Sequence, residues 1–182
     1  MKLLMENWRK LLSEGKLRVF DFDDTLAYTD SKIILRKASG KTIEMTPGSW
    51  AVYEPEEGDE FDYSQFRGPL INPREMKDYT NVLRRVLGAG SNGRKTVILT
   101  ARDVGAKQGI TDFLEDIGIN PESLELVTLG SSNPQDKADW IERKIEEGYD
   151  DIFFLDDSSK NVAAVKTLKE KYPNIKLKAQ RA

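Results

Sequence analysis

The sequence predicts an α/β protein: a parallel β-sheet with helices packed on both faces, in three layers. Three observations lead there. Short apolar runs such as "KTVILT", "LELVTL" and "DIFFLDD" are too continuous for strands exposed on one side. Segments of helical period separate those runs. Strands that alternate with helices pair in parallel and carry the helices on their faces.

Each element follows in order. Leu4, Trp8, Leu11 and Leu12 fall at helical spacing, so an amphipathic helix is expected over Met1–Lys16. Charges interrupt every apolar stretch there, which argues against a signal peptide. Leu17–Phe22 reads as a buried strand. "SKIILRKASGKTIEMT" holds two β-prone runs around Ala38-Ser39-Gly40 and predicts a hairpin. From Pro47 to Pro69 the chain is rich in Gly, Pro and acids, with Trp50, Tyr53, Phe61, Tyr63 and Phe66 interspersed. That composition predicts an irregular excursion pinned by a miniature aromatic core, rather than a base-stacking platform.

Asn72, Pro73 and Glu75 predict a capped helix running to about Gly88. Lys95–Thr100 is a buried strand, followed by a helix through Gln108 to Ile117. Leu124–Leu129 is a strand, and "NPQDKADWIERKIEEG" is a helix that starts on Asn-Pro and stops at Gly148. Asp151–Asp157 is a strand, "SSKNVAAVKTLKEKYP" a helix ended by Pro173, and "IKLKA" closes the sheet. One domain is expected over residues 1–182, with an insertion at about 27–72.

Composition removes several chemistries. Among 182 residues there is no cysteine and no histidine. Thiolate and imidazole devices are excluded, and a metal ion would need oxygen ligands, which favours Mg²⁺, Mn²⁺ or Ca²⁺. The formal net charge of -3 exerts no global pull on nucleic acid or anionic membrane. No window has the length of a membrane span. A soluble, cytoplasmic protein without an obligate protein partner is the expectation.

The polar residues gather where such sheets bind ligands, outside the carboxyl ends of the strands. "RVFDFDDTLA" ends the first strand on Asp21 and Asp23, two residues apart, so both can point into one pocket. "IFFLDD" ends a neighbouring strand on Asp156 and Asp157. Four carboxylates in one crevice repel one another, and a divalent cation offsets that repulsion. Mg²⁺ is suited to a few carboxylates, waters and a substrate phosphate. The same groups suit phosphoryl transfer: one carboxylate attacks phosphorus, and a second moves the proton of the leaving oxygen. Thr100, at a strand end, and Lys137, in the first turn of its helix, can supply a hydroxyl and an ammonium to the phosphoryl oxygens.

At these positions the sequence resembles the haloacid dehalogenase (HAD) superfamily of phosphatases. "DFDDT", "VILT", Lys137 and "FFLDD" are similar to its four motifs, in family order, over Leu17 to about Ala164. The resemblance implies a Rossmann-like core with a β-hairpin flap and a small irregular cap. It implies a Mg²⁺-dependent phosphomonoesterase with Asp21 as nucleophile and Asp23 as acid/base. The backbone carbonyl of Asp23 would also bind Mg²⁺. Thr100 and Lys137 would hold the phosphoryl group, Asp156 would ligate the metal, and Asp157 would do so directly or through water. Ser158 and Asn161 would support the metal site. "TAR", Thr100 to Arg102, is similar to the Ser/Thr-x-Arg of the phosphatase half of phage polynucleotide kinase/phosphatases. That places Ala101 and Arg102 near the substrate, a phosphorylated small molecule or nucleic-acid end.

Other readings of these residues are a polynucleotide 3′-phosphatase, a non-catalytic binding or structural protein on the same fold, and a phospho-receiver. Retention of both Asp21 and Asp23 argues against a scaffold. Two further motifs carry nothing. "GAGSNGRKT" departs from a P-loop at Arg94 and lies between a helix and a strand, in the wrong order. "DFDDTLAYTD" lacks the glycine and the acidic twelfth residue of a calcium loop, Lys32 standing there.

Overall fold

The computed structural model describes residues 15–90 and 93–182. The amphipathic helix expected from Leu4, Trp8, Leu11 and Leu12 lies outside the described residues. The central sheet has five strands: β1 (Gly15–Phe20), β7 (Arg94–Thr100), β8 (Glu125–Thr128), β9 (Tyr149–Asp156) and β10 (Lys176–Arg181). Their order is β10-β9-β1-β7-β8 and every pairing is parallel. β1 is central, with Val19 opposite Val97 of β7 on one side and Phe154 of β9 on the other.

Helices cover both faces, which is why the strands read as continuous apolar runs. On one face α4 (Pro134–Glu146) and α5 (Ser159–Lys171) bury Ile141 and Val165 against Leu17, Val19, Leu99 and Phe154. On the other, α2 (Lys77–Gly88) and α3 (Lys107–Asp116) bury Leu83 and Ile110 against Phe20, Ile98 and Leu155. Neighbouring residues of one strand thus serve opposite cores, as the two-residue period demands. Among the described residues no helix is long and apolar enough to cross a membrane.

The insertion is more regular than its composition suggests. β3 (Ile33–Arg36) and β4 (Thr42–Met45) form the expected hairpin, with Gly40 at φ 82° in the turn. A short helix α1 (Pro47–Ala51) follows, and then a strand β5 (Glu60–Asp62) that pairs with β3 and makes the sheet three-stranded. Trp50, Tyr53, Phe61, Tyr63 and Phe66 pack on Ile33, Leu35 and Met45 as a separate small core.

The helix start read at Asn72–Glu75 is corrected. Asn72 sits at φ 45°, in the left-handed region, and its side-chain amide donates to Asp30 (3.1 Å). Arg74–Glu75 form β6, which pairs antiparallel with β2 (Ala27–Tyr28), and the helix begins only at Lys77 with no side-chain cap. The Glu75 carboxylate instead accepts from the Thr80 hydroxyl (2.6 Å) and pairs with Arg84. The two legs of the insertion are therefore hydrogen-bonded to each other where they leave the domain.

Candidate active site

The candidate site forms where β1, β7 and β9 end. After Phe20 the chain turns tightly: the amides of Leu26 and Ala27 both donate to the Phe22 carbonyl, and Asp24 takes φ 54°, which a short polar residue tolerates. The turn leaves Asp21 almost buried but lining the cleft, and carries Asp23 to the same cleft. On the neighbouring strand, Asp156 is fully buried. One of its oxygens accepts from the Ser158 amide (2.9 Å) and the Asn161 side chain (3.0 Å). Ser158 also caps α5, which sets Asn161 one turn in. The Asp157 amide donates to the Thr25 hydroxyl (3.1 Å), joining the two acidic strand ends.

Lys137 completes the cluster. The Asn133 side chain caps α4 and Pro134 opens it, so Lys137 lies in the first turn with its side chain pointing under the strand ends. Only 3% of it is exposed. Its Nζ donates to Asp21 Oδ1 (2.6 Å) and Asp156 Oδ2 (2.7 Å). Burial opposes its charge, but Asp156 and Asp21 outweigh that and raise its pKa.

Asp21, Asp156 and Asp157 each offer one oxygen within 4.8 Å of the others. When ionised, these three carboxylates face one paired cation, Lys137, so two negative charges of the cluster remain uncompensated. The consequence is visible in the acids. Burial, and then Asp156, Asp157 and Asp23, hold the Asp21 carboxyl well above the usual carboxylate range, against the pull of Lys137. Burial, Asp156 and Asp24 push Asp157 up to about 7. Three hard oxygens and a residual charge of two fit a divalent cation.

Asp23 stands apart from that cluster. Its carboxylate is held by Arg102, whose Nε (2.9 Å) and Nη2 (2.7 Å) form a two-pronged contact. Nη2 also donates to Thr29 (2.9 Å) and Ser31 (3.3 Å), and the guanidinium lies over the Phe66 ring, 4.7 Å from its centre. Arg102, expected near the substrate, is thus buried and committed mainly to Asp23, while its Nη1 is buried without a partner among the described residues. Thr100 is fully buried, and its hydroxyl accepts from the Arg102 amide (3.1 Å).

A cleft of about 430 Å³ opens above these groups. Asp21, Asp23, Ala101, Arg102, Lys137, Asp157, Ser158 and Asn161 line it, while Thr100 and Asp156 lie beneath. The sequence reading gave no role to Thr25, Thr29 or Ser31. Thr25 lay inside a quoted motif. Thr29 and Ser31 carry no local signal, because their partner is 73 and 71 positions away. No protein-family model matches the chain, and no curated protein matches it.

Proposed function

We propose that this chain is a Mg²⁺-dependent phosphomonoesterase of the HAD type that works through a phosphorylated Asp21. The observation that carries the reading is the meeting of Asp21, Asp156 and Asp157 within 4.8 Å, with the Lys137 ammonium shared by Asp21 and Asp156. Asp21, Asp156 and Asp157 would hold the metal ion. When bound, it would neutralise charge on the phosphoryl oxygens.

In the first step an Asp21 oxygen bonds to phosphorus and the bond from phosphorus to the leaving oxygen breaks. Asp23 enters this step protonated and gives that proton to the leaving oxygen, and Arg102 holds the Asp23 carboxyl in the orientation the transfer needs. In the second step water attacks phosphorus, Asp23 takes its proton, and the bond to Asp21 breaks. Lys137 keeps positive charge beside Asp21 throughout. The segment spanning β3 to β5 serves as flap and cap over the cleft.

The test is hydrolysis of an aryl phosphate with Mg²⁺ present. Asp21→Asn should abolish it while leaving the thermal melt cooperative, and EDTA should stop it reversibly. Unchanged turnover in the variant, or turnover without metal, would rule the reading out. A non-catalytic binding protein on this fold gives no turnover in any condition.

A further inference from the structure

Resting on the phosphatase reading above, we propose that the cleft takes a single nucleotide, a nucleoside monophosphate, with its base against an aromatic wall. The cleft that reaches Asp21 and Lys137 is also lined by Trp50, Tyr63 and Phe66. These rings do belong to the small core of the insertion, but each is only partly buried, and the same three form the wall. They are also fixed. Trp50 meets Tyr63 edge to face (6.0 Å, 85°), and Arg102 covers one side of Phe66. Rigid aromatic surface beside a phosphate site suits a ligand with a flat apolar part. A sugar phosphate would lay hydroxyl groups on that wall and leave them without partners.

Ser131 and Ser132 also line the cleft, Ser132 beside the Tyr63 hydroxyl, small polar residues able to hydrogen-bond a ribose or a base edge, and exposed Arg67 and Lys160 stand among the lining groups. The volume, about 430 Å³, lies in the range of small-ligand sites. Charge decides between a free nucleotide and a nucleic-acid end. The insertion that supplies the aromatic wall also carries the exposed acids Glu54, Glu57 and Glu60, beside Glu56, Asp59 and Asp62, which Lys37 and Arg36 pair. A polymer leaving the cleft along that segment would bring its phosphates against these acids.

The experiment compares kcat/KM, with Mg²⁺, for nucleoside monophosphates, ribose 5-phosphate, a 3′-phosphorylated oligonucleotide and a phosphotyrosyl peptide. A nucleoside 5′-monophosphate and ribose 5-phosphate share their sugar and phosphate, so their ratio isolates the base. Stacking of one base predicts a ratio of roughly tenfold or more in favour of the nucleotide. Trp50→Leu should collapse that ratio, with a thermal melt checking its fold. Calorimetry on Asp21→Asn with the same two ligands gives a second ratio that needs no turnover and no change to the wall.

Equal rates and affinities for nucleotide and ribose phosphate overturn the inference, as does preference for the oligonucleotide or the peptide. If no phosphate ester is hydrolysed, the phosphatase reading fails by itself. Calorimetry then still decides: tighter binding of the nucleotide upholds the inference, and no difference sinks it.

Discussion

Lys137→Met removes the ammonium that Asp21 and Asp156 share and leaves both carboxylates buried around an apolar side chain of similar length. Removing one partner of a buried ion pair typically costs about 3–5 kcal/mol, because the remaining charge has neither solvent nor counter-charge. Here one cation serves two acids at 2.6 and 2.7 Å, and its side chain is 4% exposed. A loss in the upper part of that range is expected when EDTA is present. For a chain of 182 residues this corresponds to a fall in Tm of about 8–20 °C.

Mg²⁺ should narrow the gap. The variant cluster carries one more uncompensated negative charge, so a bound cation gains more there than in the parent, and ligand binding stabilises through its affinity. Adding Asp21→Asn to Lys137→Met should recover part of the lost stability in EDTA, since one of the stranded charges disappears. Urea unfolding with and without Mg²⁺ reads all of these. A loss under about 1 kcal/mol in EDTA, or one that Mg²⁺ leaves unchanged, would refute the buried-triad electrostatics.

Asp23→Asn should slow hydrolysis of esters with poor leaving groups by about 10²–10⁴-fold and p-nitrophenyl phosphate far less, because only the former need the proton. Equal losses would remove the acid/base role. Without metal, stability should fall as pH rises from about 4 toward 7. Asp157 is pushed up to about 7, and Asp21 is raised as well, so the folded state keeps protons that the unfolded chain has released. Hydrogen bonds to Asp59 and Glu75 hold those acids low, so their contribution is present above their ordinary pKa and lost only in more acid solution. Urea midpoints at pH 5 and pH 8 in EDTA, and again in Mg²⁺, check the sign; a flat metal-free profile counts against it. Gly105→Ala should destabilise by about 1–3 kcal/mol, since its Cβ would lie 2.0 Å from the Arg67 carbonyl oxygen where the insertion rests on the domain. An unchanged melt would mean that the insertion does not sit that closely.

What the sequence disclosed and what it hid divide along one physical line, the range over which a residue's partner lies. The sheet was legible because burial on both faces forces continuous apolar runs, and the carboxylate cluster because parallel strands deliver their ends to one edge. Asp21, Asp156 and Asp157 needed no more than that. Lys137 was harder. Its place in the first turn of α4 says nothing of burial, since a lysine there is ordinarily solvated, and only its place in the order of motifs raised it above that. The Arg102–Asp23 contact joins positions 79 apart, and nothing near either residue announces it.

The failure at Asn72–Glu75 shows the competing term at work. Asn-Pro followed by Glu is a sound local signal for a helix start, and at Asn133-Pro134 the same dipeptide does start α4. At Asn72 the chain is also the returning leg of an insertion that has to close onto Ala27–Tyr28. The amide of Asp30 bonds the Ile71 carbonyl, and that of Met76 bonds the Leu26 carbonyl. These bonds need extended backbone through Arg74 and Glu75, so helix is delayed to Lys77. A capping box contributes about 1 kcal/mol, less than the paired backbone groups that a helical start at Pro73 would leave unmade. Local preference decided the elements wherever no second segment had to be joined. Where the insertion meets the domain, beside Asp23 and Arg102, closure of the chain overrode it.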